Sequence, residues 1–191
     1  VIAGTASAKF DALKNQLDPH FLFNNLNTLH TLLPENAKKA ESFMVSLSKI
    51  LRYSLQAGKD ELVLLKGEFE MLMEYSKIIK SRFGDSLRIK YNISDDSEWM
   101  LYPMTLIHLM ENAIKHNEVT EKKPLEVIIS EKGGHLTFKN NLNPKIQSPS
   151  IAGSLATLRE LYRLKTESEI EISESEEEFT ITVPLIKNDK E

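Results

Sequence analysis

His20 directly follows Pro19 inside the string DPHFLFNNLN, from Asp18 to Asn27. An imidazole with an unperturbed pKa of about 6.5 is largely neutral at physiological pH, and its free ring nitrogen is a nucleophile. Asn24 lies one helical turn after His20 and shares its face, where the amide can hold the ring in one tautomer. Asp18 suits a base or a helix N-cap, and the cap is the simpler role. A second string, MENAIKHN from Met110 to Asn117, places Glu111, Asn112, Lys115 and His116 near the end of one helix. Carboxamide and carboxylate oxygens suit Mg2+, which takes hard oxygen ligands and bridges nucleotide phosphates. Lysine and histidine add positive charge near those phosphates. Read alone, Glu111 and Lys115 are also an ordinary ion pair one turn apart. Together the strings point to phosphoryl transfer from a nucleotide to a histidine of the same chain.

The other histidines carry no such context. His30 lies among apolar residues, His108 precedes the second string by a turn, His135 adjoins Gly134, and no pair has a zinc spacing. The 191 residues carry a net charge of −4, with glutamates gathered between Glu167 and Glu178. This balance argues against nucleic acid as a direct partner, because a phosphate backbone needs a basic face. The acidic run reads as a solvated hairpin turn. Cysteine is absent, which removes disulfides and thiolate metal sites and fits a reducing compartment. No apolar run has the length of a membrane span. The opening VIAGTASAKF lacks a basic region followed by an apolar core, so it does not read as a signal peptide.

Apolar periodicity supplies the elements that must position these groups. Phe10, Leu13, Leu17 and Phe21 recur at helical spacing, and Pro19 either kinks that helix or starts a new one capped by Asp18. Pro34, Glu35 and Asn36 predict a turn. Ala40, Phe43, Leu47, Ile50, Ser54 and Leu55 then mark one face of a second helix ended by Gly58. A hairpin of this size has too little core of its own, so pairing with a second copy into a four-helix bundle is expected. Leu65, Phe69, Leu72, Ser76, Ile79 and Phe83 predict a third helix stopped by Gly84. Leu87 to Ile93 alternates as a strand, and a helix follows from about Tyr102 to His116. Leu125, Val127 and Ile129, the Gly133-Gly134 turn, and Leu136 and Phe138 predict a hairpin. A loop over Asn140–Ser150 leads to a short helix over Ser154–Lys165. Ile170 and Ile172, then Phe179 to Leu185, close the chain as strands. The expectation is an α+β chain, divided near Gly58–Leu65 into residues 1–60 and 61–191.

The two strings resemble a known family. DPHFLFNNLN resembles the phosphoacceptor box of LytS-type sensor histidine kinases, close to NPHFLFNxLN, and MENAIKHN resembles the N-box of the GHKL ATPases. Between them, Glu68 to Ile89 is similar to the linker helix and first strand of that family, and YPMTLIHL fits as well. The resemblance runs in order from Leu13 to Leu185. It implies a dimerisation and phosphotransfer hairpin, then a GHKL-type two-layer sandwich with a mixed sheet that binds ATP with Mg2+. His20 would be autophosphorylated, Asn112 would bind Mg2+ with the phosphates, Glu111 would be the adjacent acid, and Lys115 and His116 would lie near phosphate. Asn140, in KNNLNPK, stands where the family has an aspartate for adenine, and Gly153, in IAGSLAT, is what remains of a glycine-rich lid. Fewer glycines there mean fewer backbone N–H groups able to approach phosphate.

The partners so implied are a second copy of the chain and a response regulator, often of the LytTR type. A sensor region upstream would hold the chain at the cytoplasmic face of the inner membrane. Two further readings stay open. One is a degenerate, nucleotide-poor kinase acting as a dimeric signalling scaffold or phosphatase-like regulator. The other is a GHKL ATPase that is not a kinase, for which the acceptor box has no purpose.

Overall fold

A computed structural model describes residues 19–57, 62–94, 97–145, 155–165 and 168–188; the side chains of His20, Phe21, Asn24, Thr157 and a few others lie outside the description. Asp18 and Gly153 fall outside the described residues, as does the choice between a kink and a fresh start at Pro19. Helix α1 covers Pro19–Glu35 and helix α2 covers Ala37–Ala57. The turn expected at Pro34 is helical instead. A proline in the last turn loses only one late hydrogen bond, so the helix runs through it to Glu35. Asn36 alone reverses the chain. Its N–H donates to the Leu32 carbonyl at 2.8 Å, and its Oδ1 accepts the Lys39 N–H at 2.9 Å as an N-cap.

Helix α3, Leu65–Phe83, has the bounds that its apolar spacing predicts, and Gly84 ends it with a positive φ of 54°. The stripe of α2 does not wait for a second copy. Ala40, Phe43, Leu47, Ile50 and Ser54 are buried, and three of them join one continuous core with Leu65, Leu72 and Tyr75 of α3. Leu55, expected on that face, is exposed, since it follows the buried Ser54 by one residue and so turns about 100° away from the buried stripe. Glu74 of α3 clasps α2 through Ser46 Oγ and Lys49 Nζ, each at 2.9 Å. Lys49 and Lys77 beside it hold the Glu74 carboxyl down at about 2. What the hairpin leaves exposed is a different apolar set: Phe23, Leu26 and Leu33 on α1, with Met44 and Val45 on α2.

The sheet has five strands: β2 (Leu87–Asn92), β4 (Leu125–Lys132), β5 (His135–Asn141), β6 (Glu171–Glu174) and β7 (Glu178–Pro184), in the order β2-β4-β5-β7-β6. β2 and β4 are parallel and every other pair is antiparallel, so the sheet is mixed. The parallel pair needs a crossover, and helix α4, Thr105–His116, supplies it. Alternate residues Val127, Ile129, Leu136, Phe138, Ile181 and Val183 point inward, where helix α5 (Ala156–Lys165) adds Leu158 and Tyr162. Asn140 is not in a loop. It belongs to β5 on the inward face, in register with Val127 and Phe179, and is 2% exposed. A second sheet joins β1 (Val63–Leu64), β3 (Trp99–Leu101) and β8 (Ile186–Lys187) in the order β1-β3-β8.

Candidate functional site

The site is built on α4. Its first residues lack a cap of their own: Met104, the N-cap, has φ 66° and makes no side-chain capping bond. Glu68 of α3 performs that task from across the core, accepting the N–H groups of Met104 at 2.6 Å and Leu106 at 3.0 Å. Orphan N–H groups at a helix start are thereby satisfied, and the negative charge complements the helix dipole. The body of α4 is nearly all core. Leu106, Ile107, Leu109, Met110 and Ala113 are buried, while Glu111, Ile114 and Lys115 remain accessible along one stripe.

The far end of α4 is fastened by the segment after β5. Asn117 Nδ2 donates to the Ala113 carbonyl at 2.9 Å, and its Oδ1 accepts the Asn143 N–H at 2.6 Å. Lys145 Nζ donates to the carbonyls of Ile114 and Lys115, both at 2.8 Å, placing a cation on the negative end of the helix. Burial holds the Lys145 amine below its ordinary range, with Arg82 adding repulsion. Burial also holds the His116 imidazole below its ordinary value, and Lys115 and Lys145 push it further down. The end of α4 therefore gathers the cations Lys115, Lys145 and Arg82.

A cavity of about 590 Å³ opens there. Asn25 and Thr28 reach it from α1, Arg82 from α3, Glu111 and Lys115 from α4, and Lys145 from the fastening segment. The Tyr75 hydroxyl, raised well above its usual range by burial and by the nearby Glu111 carboxylate, is hydrogen-bonded to Glu111. Such an enclosure, with three cations and one oriented carboxylate, suits an anionic ligand of polyphosphate type.

The structure separates the residues that the sequence grouped together. Glu111 and Lys115 line the cavity, whereas Asn112 and His116, 5% and 2% exposed, do not. Asn140 lies on the inner sheet face, where its Nδ2 donates to the Asn141 carbonyl at 2.7 Å. His20 and Asn24 have helical backbones on α1, the helix that brings Asn25 and Thr28 to the cavity. Sequence reading missed Tyr75, Arg82, Lys145 and Glu68. Glu68 had a legible signal, a carboxylate three residues after Leu65 and four before Leu72 on an apolar face. Lys145 had none, since its partners are backbone carbonyls distant in sequence.

Among the described residues no group of three His, Asp or Glu side chains is placed to hold a metal ion, and no helix is long and apolar enough to cross a membrane. A Mg2+ ion arriving with a nucleotide would take most of its oxygens from phosphate and water, as it commonly does.

Residues 8–87 match the histidine kinase family model. The sensor protein LytS of Streptococcus mutans is 36% identical over 123 residues, 64% of this chain and 21% of that protein. The sensor histidine kinase YpdA of Escherichia coli is 34% identical over 109 residues, 57% of this chain and 19% of its own length. The chain thus spans about a fifth of the curated relatives it matches. Among solved structures, the Acinetobacter baumannii histidine kinase AdeS aligns with a TM-score of 0.46 at 16% identity, covering 89% of this chain and 98% of that one. The string from Asp18 to Asn27 lies inside the family match and the likeness to LytS continues beyond it, so over these residues the chain is similar to the LytS-type sensor histidine kinases.

Proposed function

We propose that this chain carries the acceptor and ATP-binding portions of its kinase, phosphorylating itself on His20 and passing the phosphoryl group to a response regulator. One observation carries the reading: the acceptor helix α1 and the N-box helix α4 line the same cation-bearing cavity. Bound ATP, with Mg2+, supplies an electrophilic γ-phosphorus and ADP as leaving group. His20 contributes the lone pair that forms the nitrogen–phosphorus bond, and Asn24 fixes its ring. Lys115, Arg82 and Lys145 offset the phosphate charge, the largest service a protein gives to phosphoryl transfer. Tyr75 holds the Glu111 carboxylate in the cavity wall. Asn112 would hold the metal and His116 would lie near phosphate, both from the buried face of α4 rather than from the cavity wall, and Asn140 and Gly153 would serve the adenine and lid ends.

On this reading residues 1–60 form the phosphotransfer unit and residues 61–191 the ATP-binding unit. The exposed Phe23, Leu26, Leu33, Met44 and Val45 meet their counterparts in a homodimer, because several large apolar side chains left exposed on one hairpin favour an interface. The regulator is of the LytTR type, and an upstream sensor holds the assembly at the cytoplasmic face of the membrane.

The nucleotide-poor scaffold is favoured by one observation, the neutral, buried Asn140 where the resemblance implies an aspartate. ATP carrying a radioactive γ-phosphate decides between the two. The kinase reading expects acid-labile label on the wild type and none on His20→Ala. Label that persists in the variant sinks the acceptor assignment, and an unlabelled wild type supports the scaffold.

A further inference from the structure

Glu68 is fully buried, and its carboxylate serves two masters. Oε1 accepts both the Met104 N–H and the hydroxyl of Tyr53, each at 2.6 Å; Oε2 accepts the Leu106 N–H at 3.0 Å. Tyr53 belongs to α2, Glu68 to α3, and Met104 and Leu106 to the start of α4. Capping α4 needs only the two backbone bonds. The Tyr53 bond is not itself a capping bond, yet it fixes the carboxylate that caps and so ties the second helix of the acceptor hairpin to it.

Burying a carboxylate is costly, and the cost is tolerated only where donors converge on the charge. Here burial pushes the Glu68 carboxyl up, while the bonds from Tyr53, Leu106 and Met104 oppose that push. The arrangement leaves little slack. Tyr53 holds Oε1 in place, so a shift of α2 that carries Tyr53 away also frees the carboxylate to move from Met104. Met104 is the one described non-glycine residue with positive φ, a conformation that needs such a hold. From Met104 the helix leads directly to Glu111 and Lys115.

We propose that Glu68 is a positioning residue for phosphoryl transfer, coupling the hairpin helix α2, through Tyr53, to the N-terminus of the helix that carries Glu111 and Lys115. The role rests on the kinase reading above. It acts through α4 and touches neither nucleotide nor His20.

Tyr53→Phe deletes the hairpin bond and leaves the cap in place, and Glu68→Gln keeps the shape while removing the charge. Two readouts are taken on the whole chain: autophosphorylation kinetics, and amide hydrogen exchange resolved at Met104 and Leu106. Tyr53→Phe is expected to lower kcat about tenfold with KM for ATP unchanged within about twofold, since displaced catalytic groups cost rate rather than binding. Exchange at Met104 and Leu106 should speed up, while the β5–β7 amides keep their wild-type protection. Glu68→Gln should shift both readouts in the same direction. Unchanged kcat and unchanged exchange in Tyr53→Phe overturn the proposal. So does a uniform rise of exchange through β5 and β7, which marks simple destabilisation. A wild type with no autophosphorylation defeats the kinase reading instead, and local acceleration at α4 then decides the coupling by itself.

Discussion

Two faces of α4 carry the residues of one short string, and they differ in almost every physical respect. Glu111 and Lys115 border a cavity shared with α1, the helix that carries His20. Asn112 and His116, their immediate neighbours in sequence, are packed in the interior. A helix turns by roughly 100° per residue, so neighbours in a motif part company while residues four apart stay together. The open face collects charge that a ligand can use. The closed face fixes where that charge stands. One short string thus supplies both a face that borders the cavity and a face that is packed in the core.

The comparison breaks first if the closed face does not bear the structural load. Leu109 is fully buried beneath α4, and Leu109→Ala should cost about 2–5 kcal/mol of unfolding free energy in a denaturant titration. A loss below about 1 kcal/mol would mean that α4 is not anchored as described.

Asn112→Ala and Lys115→Ala sharpen the contrast directly. Removing the buried amide should destabilise the fold by about 1–3 kcal/mol by leaving its neighbours unsatisfied. Lys115→Ala should change stability by no more than about 0.5 kcal/mol, yet weaken ATP–Mg2+ binding about tenfold by calorimetry. Exchanged outcomes, with stability falling for lysine alone, would reverse the assignment of the two faces. The metal role proposed for Asn112 adds its own test: nucleotide affinity should fall in Asn112→Ala only when Mg2+ is present.

The smallest effect couples the faces. His116 has its folded pKa depressed by burial, then by Lys115 and Lys145. The unfolded chain then binds the proton more readily, so stability is full above the unfolded value of about 6.5 and falls as pH drops below it toward the lower folded value. His116→Gln should flatten that part of the stability profile. An NMR titration of Lys115→Ala should show the His116 pKa moving up, because one repelling charge has gone. No movement would show that the two faces are electrostatically separate.

How much of this was legible in advance depended on the length of each signal. The helix from Leu65 to Phe83 declared itself through five turns of apolar spacing and a terminal Gly84. The β4–β5 hairpin did so through alternation around Gly133-Gly134. The second sheet was invisible, because strands such as Val63–Leu64 and Ile186–Lys187 are too short for any period to show. The apolar stripe of α2 was read correctly except for Leu55, but its partner was not: nothing local says whether Phe43 and Leu47 meet a second copy or α3. At the site, residue types were legible and their placement was not. Asn140 looked like a loop residue because Asn-Asn-Leu-Asn-Pro reads as a turn, yet strand register carries it into the core.

The central claim is that the γ-phosphate end of a nucleotide lies between α1 and α4. ATP bearing a photoreactive group on its γ-phosphate tests this directly, with the cross-linked residues located by mass spectrometry. The account predicts adducts on residues 19–35 and 105–116, both suppressed by excess ATP with Mg2+. Adducts confined to the sheet strands, or adducts that excess ATP does not displace, would contradict it.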